Sequence, residues 1–175
     1  MFVSDFTKPP EEVVIDLINY DNGKNFAPGM LFFDAPVKIP KSPPVYRNTQ
    51  LRITATVLNR LKGSATVYYN RIDLADVPGL RGVHFEVPND TVKLSDMISL
   101  VNARYGVNLT GADYVDGVIA NLSDDFTEVD LVAKDASLVF IGKVTLIVRH
   151  RSNAIPLPSA VPFQFLDIFR YTPRT

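Results

Sequence analysis

The 175-residue chain contains no cysteine and only two histidines, His84 and His150. Without thiols there are no disulfides, no thiol nucleophile and no cysteine-held zinc or iron-sulfur site, so stability has to come from packing or from partners. A hydrolytic triad needs a histidine placed beside a nucleophile and a carboxylate, and neither histidine is accompanied by a Gly-x-Ser-x-Gly elbow. An excess of charge of either sign is missing too: 18 basic and 19 acidic residues leave a formal net charge of -1. No global field draws the chain to nucleic acid or to an anionic membrane, and any such binding has to be local.

Long apolar runs are also absent. No stretch approaches the roughly 18 residues of a membrane span, and the opening MFVSDFTKPPEE has neither the basic nor the apolar region of a secretory signal. The expectation is a protein that is soluble when made, with no membrane partner. In that setting the acceptor-like triplets at Asn89, Asn108 and Asn121 read as turns.

What the chain does have is 46% hydrophobic and 10% aromatic residues, enough for one domain with a real core. It is organised around Leu51 to Leu74, LRITATVLNRLKGSATVYYNRIDL. Leu51, Ile53, Ala55 and Val57 alternate with Arg52, Thr54 and Thr56, and after a polar loop at Asn59 to Gly63, Ala65, Val67 and Tyr69 alternate with Ser64, Thr66 and Tyr68. That is the period of half-buried strands, paired as an antiparallel hairpin. A second strand signal spans Ser137 to His150, read as one strand bent or bulged at Gly142 in preference to a tight hairpin there.

Helix signals flank these strands. Pro9 and Pro10 followed by Glu11 and Glu12 suit a helix start, with Thr7 as a cap, a stripe of Val13, Val14, Leu17 and Ile18, and a stop at Asp21-Asn22-Gly23; the helix is predicted over Pro10 to Tyr20. The second is predicted over Leu94 to Tyr105, capped at Leu94 or Ser95, with Leu94, Ile98 and Val101 inward, Met97 and Leu100 widening the stripe and Gly106 ending it. Asn25 to Asn48 is dense in proline and reads as an extended segment wrapping the hairpin at a sheet edge. Asp76 to Asn89 reads as a loop, Thr110 to Asp113 as a capped helical turn, Val115 to Leu122 as a strand, and the residues after Asp124 as a polar stretch. The tail from Asn153 to Thr175 sets Pro156, Pro158, Pro162 and Pro173 among apolar and aromatic residues. It has to pack on its own domain or on a neighbour. Phe163, Phe165, Leu166, Phe169 and Tyr171 are its candidate interface residues.

Candidate chemistry is thin. Asp21-Asn22-Gly23 would place Ile18 and Tyr20 where a calcium loop needs oxygen ligands. Gly142-Lys143 lacks the first glycine and the Ser or Thr of a phosphate loop. Asp113, Asp116, Asp124, Asp125 and Asp130 form no fixed carboxylate pair. No catalytic residue, metal ligand or cofactor is assigned, and the chain is read as a non-enzyme. The binding alternative is a single-stranded nucleic acid or a glycan on an Arg/Tyr face of the hairpin, Arg47, Arg52, Tyr68 and Arg71, with Tyr46, Arg60 and Lys62 beside them.

With these elements placed, LINYDN at Leu17 to Asn22, Asn48-Thr49-Gln50-Leu51, VYYNRIDL at Val67 to Leu74, LVNARYGVNLT at Leu100 to Thr110 and LVFIGKVTL at Leu138 to Leu146 come in an order that resembles a module of virion structural proteins in tailed bacteriophages. The resemblance covers roughly Glu12 to Arg149, in one copy. It implies a non-catalytic structural role in the capsid, neck or tail, assembly in the bacterial cytoplasm, other virion proteins as partners, and a homo-oligomer or ring. The residues themselves support an α+β fold: an antiparallel or mixed sheet built from the 51–74 hairpin and the 137–150 strand, one main covering helix at 94–105, an N-terminal helix and arm over 1–24, a core over 25–152, and an extended arm over 153–175.

Overall fold

The computed structural model describes residues 5–56, 62–123 and 125–151. Among them the fold is α+β, with two helices and nine strands. Helix α1 spans Pro10–Asn22, with Glu11 and Glu12 in its first turn and Gly23 closing it in the left-handed conformation. Its N-cap is Pro9 with no side-chain hydrogen bond; Thr7, the expected cap, instead donates to Asp5 at 2.6 Å.

Strands β1 (Leu31–Phe33) and β2 (Val37–Lys38) both pair antiparallel with one edge of β3 (Thr49–Ala55), whose other edge pairs antiparallel with β4 (Ser64–Tyr69). The proline-rich segment does wrap the hairpin, in two short pieces because Pro36 and Pro40 flank β2. The inner face of this four-stranded sheet carries Leu51, Ile53 and Tyr69 and packs on Val14 and Ile18 of α1.

A second unit follows. Strand β5 (Ile72–Asp73) leads into a short 3-10 turn at Leu74–Asp76, then β6 (His84–Val87) and α2 (Leu94–Tyr105). Strands β7 (Thr127–Val132) and β9 (Lys143–His150) pair antiparallel, and β6 lies parallel on the other side of β9. Met97 and Val101 of α2 are fully buried in one cluster with Val87, Leu131, Leu146 and Val148 from this sheet.

The expectation of one sheet shared by the hairpin and the 137–150 strand is therefore corrected. Between β8 (Phe140–Ile141), which pairs parallel with β5, and β9, Gly142 adopts φ 76°. A Cβ there would collide with the Asp73 carboxylate. The bend hands the chain from one sheet to the next, and β8 and β9 do not pair with each other. Two apolar stripes then need two covering helices, α1 on the hairpin sheet and α2 on the β6-β9-β7 sheet.

Other expectations also shift. The 76–89 loop contains β6, and the polar stretch after Asp124 contains β7, whose Thr127, Val129 and Leu131 alternate inward against Val148, Leu146 and Val144. Val115 to Leu122 forms no strand; its ties include the Val115 amide donating to the Val132 carbonyl of β7 at 2.9 Å and a single bridge between Val118 and Lys93. Thr110 to Asp113 is a turn and not a helix, with the buried Asp113 carboxylate accepting from the Thr110 amide and hydroxyl and from the Ser137 hydroxyl. At α2 the cap is Lys93, since Asp96 reaches back to accept from the Val92 and Lys93 amides. Leu100 is exposed and Ile98 only half-buried, which narrows the stripe to Leu94, Met97 and Val101.

The two helices end in the same way, a local repeat within a chain read as one copy of its module. Asn19 donates to the Phe26 carbonyl at 2.9 Å and accepts from its amide at 2.7 Å. Asn102 does the same with Leu109, both at 2.9 Å. In each, a left-handed glycine, Gly23 or Gly106, follows four residues after the asparagine, and the asparagine side chain clamps the chain leaving the helix.

Candidate assembly surface

The outer face of the hairpin sheet is built by register alone. Directly opposed residues share a face in an antiparallel pair, so three rows cross the sheet: Val37, Gln50 and Tyr68; Asp34, Arg52 and Thr66; Phe32, Thr54 and Ser64. Among the described residues no helix covers this side. Phe32 is 62% exposed, Val37 56% and Tyr68 45%. Arg52 holds the middle row, donating to the Ser64 hydroxyl at 3.2 Å and facing Asp34 at 4.0 Å. The result is a mixed face, with Phe32 at one end, Val37 and Tyr68 at the other, and polar residues with one exposed ion pair between them.

Next to this face runs a free edge. The Ala55 amide donates to the Gly63 carbonyl at 3.0 Å, which fixes Ala65, Val67 and Tyr69 as the residues of β4 that exchange main-chain bonds with β3. The main chain of Thr66 and Tyr68 therefore points outward and has no partner among the described residues. Beside this edge, α1 leaves two adjoining clefts of about 460 and 270 Å³, both lined by Val14 and Leu17 of the helix and by Tyr68 and Tyr69 of β4.

The four candidate binding residues on the hairpin separate. Arg52 and Tyr68 lie on the outer face, and Arg47 sits exposed at the rim of the larger cleft. Arg71 is 3% exposed and is corrected from a surface ligand to a structural pin. Its guanidinium donates to the Thr49 hydroxyl at 3.0 Å and to the Asp135 and Ser137 carbonyls, both at 2.8 Å. Burial pulls its pKa below the ordinary arginine value, and these oxygens hold the cation in place. Asn48 brackets the Arg71 main chain from the other side, donating to its carbonyl and accepting from its amide. Tyr46 and Lys62 are exposed. Arg60 and the tail residues Phe163, Phe165, Leu166, Phe169 and Tyr171 lie outside the described residues.

Tyr69 joins the two units. Its hydroxyl donates to the Leu138 carbonyl at 2.7 Å, and burial pushes its pKa up to about 12. Elsewhere, His84 packs against Phe126 with ring centroids 4.6 Å apart and the planes tilted by 45°, and the Arg149 guanidinium lies 4.5 Å from the same ring while pairing with Glu86. His150 is half-buried with Nε2 enclosed and unpartnered among the described residues. Asp116 accepts from the Ser95 amide and Asp130 from Lys143 and Thr145. Among the described residues no three His, Cys, Asp or Glu side chains come together in a way that could hold a metal ion, and no helix is long and apolar enough to cross a membrane.

Sequence reasoning missed Phe32 and Val37 as surface residues and missed the β4 edge. The signal was the register, since once β3 is the centre of the sheet, parity assigns every neighbour to a face. Residues 3–173 match the model of a family of unknown function. No curated protein matches the chain, and no solved structure does.

Proposed function

The chain belongs to that family, DUF7941, whose model spans nearly all of it, and we propose that it is a non-catalytic structural subunit of a tailed-bacteriophage particle. It assembles with other virion proteins and with copies of itself through the open face of the hairpin sheet. The observation that carries this reading is the uncovered face: Phe32, Val37 and Tyr68 are exposed on one side of a sheet whose other side packs on α1. An uncovered sheet face with an adjoining free edge offers the flat, extendable area that a standard interface of about 1,600 Å² requires.

The test is the protein content of purified particles. Mass spectrometry of intact virions should find the chain in stoichiometric amount, and particles assembled with a Tyr68→Lys/Phe32→Lys double variant should lack it. Absence of the unaltered chain from intact particles overturns the proposal.

A further inference from the structure

We propose that the free edge of β4 is the docking site for the C-terminal segment of a second copy, residues 155–165, which adds to the sheet as a parallel strand. The inference rests on the assembly reading above and names the contact that makes the assembly.

Two independent patterns meet here. The first is the edge. A free strand edge is a template for another chain, and proteins usually guard such edges with charge or cover. The outward main chain of β7 belongs to Glu128 and Asp130, both acidic, and to Val132, whose carbonyl accepts from Val115 at 2.9 Å. The six-residue β4, SATVYY, has no charged residue at all.

The second pattern is in the tail sequence, IPLPSAVPFQF from Ile155 to Phe165. Pro156, Pro158 and Pro162 share one parity, while Ile155, Leu157, Val161, Phe163 and Phe165 share the other. In a strand, alternate residues turn their amides to opposite sides, and proline is tolerated only where the missing N–H would face away from the ladder. All three prolines therefore fall on the side that needs no donor, leaving an uninterrupted set of amides at the apolar positions. The prolines also block a further strand from adding beyond, so the pairing stops at one.

Parity fixes the direction too. Thr66 and Tyr68, which offer their main chain, carry side chains on the outer face. In a parallel pair the bonded residues of the incoming strand have side chains on the opposite face from those they bond. A parallel strand thus turns Ile155, Leu157, Val161, Phe163 and Phe165 toward α1, where the clefts of about 460 and 270 Å³ lie. An antiparallel strand would put prolines there.

The origin of the tail points to a neighbour's edge. The eight-residue β9 carries the chain roughly 25 Å away from Gly142, which abuts Asp73 just after β4. From Arg151, whose amide donates to the Val87 carbonyl at 2.7 Å, to Ile155 the chain spans at most about 14 Å. The patterned run therefore starts within about 14 Å of Arg151, at the end of β9 remote from Gly142.

Sedimentation of the full chain over a wide concentration range, with three kinds of variant, decides the matter. The unaltered chain should self-associate. Thr66→Pro removes one outward donor and leaves the β3 ladder intact, and it should weaken association at least tenfold with the melting temperature retained; Thr66→Glu serves if the proline variant does not fold. Phe163→Asp should weaken it equally. Because the chain has no native cysteine, a Thr66→Cys chain mixed with a Pro156→Cys, Pro158→Cys or Pro162→Cys chain should give a mixed disulfide with one of the three. A disulfide within one dilute chain carrying both substitutions overturns docking on a second copy. Association that ignores the Thr66 and Phe163 variants overturns the edge and leaves the assembly reading standing, whereas a full chain that stays monomeric at every concentration overturns self-assembly itself.

Discussion

Arg71 is the residue on which the hairpin and the second unit converge. Its side chain supplies three hydrogen bonds, two of them to the buried Thr49 hydroxyl and Ser137 carbonyl and one to the carbonyl of the exposed Asp135, and Asn48 fixes its main chain. Replacing Arg71 with Met takes the donor away from the buried Ser137 carbonyl and from the Thr49 hydroxyl, which keeps its bond to Asn48, as well as from the Asp135 carbonyl, at about 1–3 kcal/mol for each buried group left short of a partner. We expect a loss of at least about 3 kcal/mol in denaturant unfolding; a change under 1 kcal/mol would contradict the assigned role. The burial of Arg71 was legible in the alternation, because Ala65, Val67, Tyr69 and Arg71 share a parity and Tyr68 has the other. Grouping Tyr68 with Arg71 as one binding face broke the period that defined the strand. Tyr69 adds a pH dependence of definite sign. Its folded pKa of about 12 lies above the ordinary tyrosine value of 10.0, so its contribution to stability is complete below about pH 10 and is lost as pH rises through 12. The ionised oxygen could no longer donate to Leu138. Unfolding free energy should fall across that window in the native chain, and the fall should be smaller in Tyr69→Phe.

At the scale of elements, the ends of α1 and α2 were well marked in the sequence and the short strands were not. Proline and acidic residues mark the start of α1, glycine marks both ends, and the apolar stripes give the type, all of which are local signals. Strand β6 hid between Gly82 and Pro88, and β7 behind the acidic residues at 124 and 125, because a short strand is defined by the partner it finds. Val115 to Leu122 shows the converse: apolar residues of strand-like type that find no continuous partner. The paired asparagines were readable as Leu-x-Asn-x-x-x-Gly-x-Asn, at Leu17 to Asn25 and Leu100 to Asn108, but their role appears only once Phe26 and Leu109 fold back. Asn102→Ala should cost about 1–2 kcal/mol, since Leu109 is buried and both its main-chain groups lose their partner. Asn19→Ala should cost less, since Phe26 is only half-buried. Val101→Asp places a carboxylate at a fully buried site in α2 and should cost more than about 3 kcal/mol; an unchanged thermal melt would refute the packing of that helix.

At the scale of the whole molecule, two apolar clusters share their supports. Val13 of α1 lies in one while Val14 and Ile18 lie in the other, and Leu138 packs against both. With Tyr69 and Arg71 also tied to residues 135–138, the two units should unfold in one cooperative transition. Among the described residues neither cluster draws on anything beyond Val148, and the Arg151 amide caps the β6 edge at the Val87 carbonyl. Removing Ala154 to Thr175 should therefore leave circular dichroism and the melting temperature close to those of the full chain. Assembly is where the loss should appear, because several aromatic side chains burying about 150 Å² or more each, at roughly 25 cal/mol per Å², amount to much of what a subunit contact needs. Gel filtration beside the melts separates the outcomes: a folded monomer is expected, an unfolded core would make the tail part of its own domain, and a folded oligomer would place the interface elsewhere.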